Sequence, residues 1–357
     1  MLLDTSFDVK NIICLYVYDL KDAINLYNLN KDHQDNIRIT NLYDIKKNIH
    51  KLSQQIIEQN KYKYVEKLFA NGNEQIKNVN HMKNTLKKLS CGYESGIDQN
   101  GISELNLIEL YTISNKKIKN VNHMKNTLNI LYCSYYSGIN QYGISELNLI
   151  ELNAHGNKEI YNVNHMKKTL KILNCGWNCG IDQNDISKLN LIELYATRNQ
   201  KIKNVNHMKN TLKILHCSEN CAIDQYGISE LNLIELCAVE NKKIKNVNHM
   251  KNTLKILNCG WNCGIDQNGI LELNLIELYV SENEKIKNVN HMKNTLKILK
   301  CRFNSGIDQN GISELNLIEL CAVENEKIKN VNHMKNTLKI LYCGGDSGID
   351  QCGVFVI

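Results

Sequence analysis

The chain has 357 residues, a formal net charge of +6, 43% hydrophobic and 22% charged residues, and no proline. That charge is modest for the length and argues against a nucleic-acid binder, while the apolar fraction is ordinary for a packed protein. No apolar run approaches a membrane span, and the N-terminal MLLDTSFDVKNIICLYVYDL, with acids and no basic start, is a poor secretory signal.

Residues 1–64 come first and share no repeat with the rest of the chain. Val9–Val17 is apolar, Asp19 stands as an N-cap ahead of the stripe Ala23, Ile24, Leu26, Tyr27 and Leu29, and a further helix is predicted from Tyr43 to Ile57. The expectation is a small helical N-terminal cap covering the apolar end of a repeat stack that occupies residues 65–357.

From Asn78 onward one 42-residue sentence recurs, its His at 81, 123, 165, 207, 249, 291 and 333. Each sentence holds two 21-residue halves of one grammar. Leu170, Leu173, Cys175, Asn178 and Ile181 occupy positions 1, 4, 6, 9 and 12 of one half, and Leu191, Leu194, Ala196, Asn199 and Ile202 occupy the same positions of the next. The pattern L-x-x-L-x-(small)-x-x-N-x-x-I resembles a leucine-rich repeat. Fourteen such units cover Val65–Ile357. The resemblance implies an α/β solenoid of about 14 coils, with a parallel sheet on its concave face and turns or short helical segments outside.

Alternation puts positions 4 and 6 on one face of a short strand and 3, 5 and 7 on the other. One coil cannot bury its inward face alone, so neighbours must stack. Position 6 is small throughout, Cys in seven units from Cys91 to Cys343. Position 9 is Asn in eleven units, and a buried amide there can serve stranded backbone groups. On this reading Asn178 belongs to the amide row, and Glu94, Tyr136 and Asp346 interrupt it. The fourteen cysteines read as reduced thiols rather than a disulfide framework, because Cys179, Cys221 and Cys263 recur two coils, about 10 Å, apart. That suggests a reducing, cytoplasmic setting.

The copies differ from one another at chosen places. Position 8 of alternate units reads Tyr93, Tyr135, Trp177, Trp261 and Phe303, and position 5 of the others includes Tyr111, Tyr195 and Tyr279. These are candidate anchors for a partner on the concave face. Glu109, Glu151, Glu193, Glu235, Glu277 and Glu319 form a position-3 stripe, spaced too widely for paired acid–base chemistry and suited to a solvated face or a basic partner. The return path IKNVNHMKNTL scarcely varies, a contrast that favours recognition on the concave side. The periodic His recurs like a scaffold residue, and no phosphate loop, metal set or cofactor motif stands out. No enzyme activity, cofactor, nucleic acid, membrane or small-molecule substrate is expected.

The stretch FDVKNIICLYVYDLKDAINLYNLNK, Phe7–Lys31, resembles a degenerate F-box. The resemblance implies that Ile12, Ile13, Val17, Leu20 and Leu26 would contact a Skp-type ubiquitin-ligase linker. Phe7-Asp8 replaces the usual Leu-Pro, and no Trp follows. Leu254–Leu273, LKILNCGWNCGIDQNGILEL, is similar to the cysteine-containing repeats that accompany F-boxes. Asparagine-rich, proline-free repeats of this style also resemble those of giant DNA viruses of amoebae. The expected function is a non-catalytic protein-binding scaffold; the alternative is an F-box-type adaptor.

Overall fold

The computed structural model describes residues 38–42 and 52–349. Each 21-residue unit forms one coil whose positions 3–5 make a three-residue strand, as in Glu193–Tyr195 and Ile214–His216. The chain divides into two compact units, Met1–Leu170 and Lys171–Ile357. The first carries strands β1 (Asn41–Leu42) to β6 (Glu151–Asn153), and the second β7 (Ile172–Asn174) to β15 (Ile340–Tyr342). Within each unit neighbouring strands pair in parallel with like positions opposed: Leu236 lies between Leu215 and Leu257. The position-4 leucines and position-6 Cys or Ala point inward and are buried, with Leu236, Leu257, Cys217 and Ala238 at 0% exposure. The coil is a leucine-rich repeat.

The return path is built from 3-10 turns such as Asn206–Met208, whose Met is buried. Among the described residues two short α-turns depart from this, α1 (Gln54–Ile57) and α2 (Gln183–Ile186). Five odd coils among the described residues have Gly where α2 carries Asp185, and at Gly227 a Cβ would lie 2.0 Å from the Lys203 carbonyl oxygen. With a side chain at that place, the coil forms an α-turn whose Asp182 carboxylate accepts from the Asn184 and Asp185 N–H groups, while Asp185 accepts from the Asp182 N–H.

The amide row differs from the sequence expectation. In even coils it stands as expected: Asn115 is buried, donates from Nδ2 to the Cys91 and Ile97 carbonyls at 2.7 and 3.1 Å, and accepts from the Lys117 N–H at 2.9 Å. Asn157, Asn199, Asn241, Asn283 and Asn325 donate in the same way. In odd coils position 9 is not in the row. Asn178, Asn220 and Asn262 are exposed, left-handed turn residues with φ of 55°, 54° and 56°. The residue before each is also left-handed. Position 10 takes the buried place instead: Ser95, Cys179, Cys221, Cys263 and Ser305. One amide thus serves two coils, its own and the preceding odd one. Glu94 and Tyr136 are therefore exposed turn residues and interrupt nothing.

The uniformity of the return path has a structural cause that comparing the copies does not reveal. Gln99 accepts from the Lys119 and Asn120 N–H groups at 2.9 Å and donates to the Asn120 carbonyl at 2.8 Å, and Gln141, Gln183, Gln225, Gln267 and Gln309 reach the next coil likewise. Asn122 accepts from the Glu146 N–H and donates to the Tyr142 carbonyl. His123 Nε2 lies 3.1 Å from the Ile102 carbonyl, which can only accept, so that nitrogen carries the proton. These side chains hold coil to coil, so their constancy is no measure of how an unconstrained surface drifts.

The same bonds extend before Val65. Gln54 reaches Lys77 and Asn78 as Gln99 reaches Lys119 and Asn120, Asn73 donates to the Leu52 carbonyl, and Asn41–Leu42 pairs in parallel with Lys67–Leu68. The helix expected over 43–57 is described only in its last part, as α1. Eleven described cysteines are free thiols, but Cys343 is disulfide-bonded, an exception to the expected row of reduced thiols.

Candidate functional site: the open sheet face and its exit rim

Positions 3 and 5 of the strands face away from the core and are half-buried in most coils. Each position-3 carboxylate is engaged by a neighbour on this face. Glu109 accepts from Lys88 at 2.6 Å and from the Tyr111 hydroxyl at 2.9 Å. Burial works to raise its pKa, but these two donors outweigh it and hold the carboxyl below its ordinary value. Tyr132 donates to Glu151, Tyr195 to Glu193 at 2.8 Å, and Tyr279 to Glu277. His216 Nε2 lies 3.0 Å from Glu235, and Lys300 pairs with Glu319 at 3.8 Å. Burial, and then the bonds to their carboxylates, push the Tyr111 and Tyr279 phenols up. The stripe is thus a row of internally bonded carboxylates rather than a bare anionic ladder.

The rings form local stacks. Tyr111 and Tyr132 have centroids 4.7 Å apart, Tyr195 meets His216 edge-on at 4.7 Å, and Lys300 Nζ lies 4.8 Å from the Tyr279 centroid. Tyr132 and Lys300 were not singled out from the sequence, although the signal was present: with His216 they stand at position 5 of odd coils as Tyr111 does in even ones. A row of isoleucines was also missed. Ile108, Ile150, Ile192, Ile234, Ile276 and Ile318, just before the strands, are each between 40% and 46% exposed.

The position-8 aromatics do not lie on the strands. They occupy the left-handed turn where each odd coil leaves the sheet: Tyr93, Tyr135, Trp177, Trp261 and Phe303 have φ of 51°, 55°, 35°, 53° and 57°. Tyr93, Tyr135, Trp177 and Trp261 are 57%, 42%, 37% and 44% exposed. Gly345 takes the same place in the last coil with φ 62°, the residue such backbone prefers. Tyr111, Tyr195 and Tyr279, by contrast, sit on strands as expected. Ile12, Ile13, Val17, Leu20 and Leu26 lie outside the described residues.

No family model matches the chain, and no curated protein matches it. Solved structures with a similar fold include the Rad7–Elc1 complex of yeast, at TM-score 0.49 and 16% identity over 94% of this chain and 92% of that one. The functional domain of InlJ from Listeria monocytogenes, which includes a cysteine ladder, is similar at TM-score 0.48 and 18% identity, over 85% of this chain and 66% of that one. The TLR13–ssRNA13 complex is similar at TM-score 0.41 and 15% identity, over 92% of this chain and 54% of that one. Likenesses this weak assign no activity and no partner; the fold rests on the coil itself.

Chemistry-bearing groups of the leucine-rich repeats are placed for structure. Burial pushes the Cys91 and Cys301 thiols up to about 12, and Cys179 and Cys263 up to about 11, so they are poor nucleophiles. Among the described residues no group of three or more His, Cys, Asp or Glu is arranged to hold a metal ion, and no helix is long and apolar enough to cross a membrane. An open cleft of ≈ 580 Å³ beside Glu74, Lys77, Glu94 and Lys117 has charges of both signs and neither His nor Cys in its lining.

Proposed function

We propose that this leucine-rich-repeat chain is a non-catalytic scaffold that binds a protein partner across the open sheet face and along its exit rim. The observation that carries this reading is the rim. A left-handed backbone costs a residue with a side chain about 1–2 kcal/mol, and Gly would avoid it. The chain nonetheless places large aromatic rings there, with much of their surface in water. Strained residues of this kind gather where function needs them, and rigid aromatics are good interface anchors. Tyr111, Tyr195 and Tyr279 extend the surface onto the strands, braced by Glu109, Glu193 and Glu277. Glu151, Glu235 and Glu319 orient Tyr132, His216 and Lys300 in the same way, so their role is to hold donors and rings in place.

The adaptor alternative rests on the F-box resemblance of Phe7–Lys31 and on the likeness of Leu254–Leu273 to the repeats that accompany F-boxes. It is tested by comparing the full chain with one beginning at Arg38, which keeps the strand Asn41–Leu42: loss of a Skp-type linker on truncation supports it. The scaffold reading is tested by capturing proteins from a eukaryotic lysate with the full chain and with a Trp177→Gly/Trp261→Gly variant. Proteins lost from the variant at unchanged stability support it, and an identical captured set contradicts it.

A further inference from the structure

The rim of the second unit has a composition of its own between Glu240 and Glu324. Successive coils place Glu240, Trp261, Glu282, Phe303 and Glu324 at the same turn position, all with φ between 53° and 57°. Backbone bonds tie this row to the following coil: the Trp261 N–H donates to Ser281 O at 2.7 Å, Glu282 to Arg302 O at 3.3 Å and Phe303 to Val323 O at 2.8 Å. The five backbone positions are thus fixed one coil, about 4.8 Å, apart, over a strip of about 19 Å. The Trp261 and Phe303 centroids are 6.2 Å apart at 59°, with the coil of Glu282 between theirs.

We propose that this acidic–aromatic strip docks a lysine- or arginine-rich segment of a protein partner. The inference rests on the scaffold reading and names the chemistry of the partner. Two features that do not depend on each other favour a cation. The faces of aromatic rings attract ammonium and guanidinium groups, and the Arg302 guanidinium already lies 5.2 Å from the Phe303 centroid. Among the described residues no cation sits over Trp261, so that ring is open to a guest. Glu240, Glu282 and Glu324 make no ion pair among the described residues, unlike the position-3 carboxylates of the strands. The sequence left the position-3 stripe suited to a solvated face or a basic partner; the structure bonds that stripe internally and leaves the rim carboxylates without an ion pair among the described residues. An extended chain advances about 3.3 Å per residue, so about six residues span the strip.

The chain has two tryptophans, so Trp177→Phe leaves Trp261 as the sole indole reporter while keeping a ring at 177. Decalysine, decaarginine and decaglutamate are titrated into this full-length protein, and Trp261 emission is followed at low and high salt. The expected result is a saturable change with both cationic peptides, at least tenfold weaker in high salt, absent with decaglutamate and reduced at least tenfold by Glu240→Gln/Glu282→Gln/Glu324→Gln. No response to either cation, or a response undiminished in the triple variant, overturns the proposal. In that event the lysate comparison with the Trp177→Gly/Trp261→Gly variant still decides the scaffold reading separately: selective loss there means a partner of other chemistry, and no loss removes both.

Discussion

Asn199 donates from Nδ2 to the Cys175 carbonyl at 2.8 Å, joining an even coil to the odd coil before it. The same amide reaches the Ile181 carbonyl at 3.3 Å and accepts from the Lys201 and Ile202 N–H groups, so one 2% exposed side chain holds four backbone groups. Asn178, at the equivalent sequence position of the odd coil, is exposed and left-handed.

Asn199→Ala should therefore destabilise by about 1–3 kcal/mol, the cost of stranding buried polar groups. Asn178→Gly should be neutral within about 0.5 kcal/mol, because Gly suits the left-handed backbone. Urea unfolding followed by circular dichroism compares them. Equal losses at both sites would restore the single amide row that the sequence suggested.

That row shows where the sequence was legible and where it was not. The strand, the inward Leu and Cys positions and the 21-residue coil follow from side-chain period and recur without slippage. The one-residue delay of the buried place in odd coils leaves no mark at position 9 of the sequence, and Trp-Asn carries no strong signal for the two left-handed residues found at Trp177-Asn178 and Trp261-Asn262. The cue was Ser95 and Cys179 at position 10, small residues that suit a buried turn. The site was half legible for the same reason: Tyr111, Tyr195 and Tyr279 lie on strands as alternation demands, while Trp177 and Trp261 fall on the turn. The constancy of Gln99, Asn122 and His123 resembles the quiet of an unused surface, because bonds between coils are invisible in a linear sequence.

Gly227→Ala should lower stability by about 1–3 kcal/mol through overpacking, since its Cβ would lie 2.0 Å from the Lys203 carbonyl oxygen. Asp182→Ala should cost about 0.5–2 kcal/mol by removing the cap of the α-turn that the neighbouring repeat uses instead. Shifts in the urea midpoint check both. A neutral Gly227→Ala would mean that the coil can change to the α-turn freely.

Burial lowers the pKa of His165, His249 and His291, outweighing the bond each makes to a carbonyl. A depressed folded pKa means that the unfolded chain takes up protons first as pH falls. The contribution of these groups is thus complete above the unfolded value of about 6.5 and is lost progressively below it, through the folded value. Unfolding free energy should fall between pH 7.5 and pH 5.5, with a shallower slope in His165→Gln/His249→Gln/His291→Gln. An identical slope in that variant would assign the loss to other groups.

The central claim is that the rim aromatics serve recognition rather than packing, and the Trp261→Gly variant tests it most directly. Relief of left-handed strain, about 1–2 kcal/mol, offsets the packing lost with the ring, so its urea midpoint should match the parent within the equivalent of about 1 kcal/mol; a core change such as Leu257→Ala should cost about 2–5 kcal/mol. The expected result is that near-neutral midpoint together with loss of captured partners. A Trp261→Gly protein destabilised like Leu257→Ala, or one that retains every partner, would contradict it.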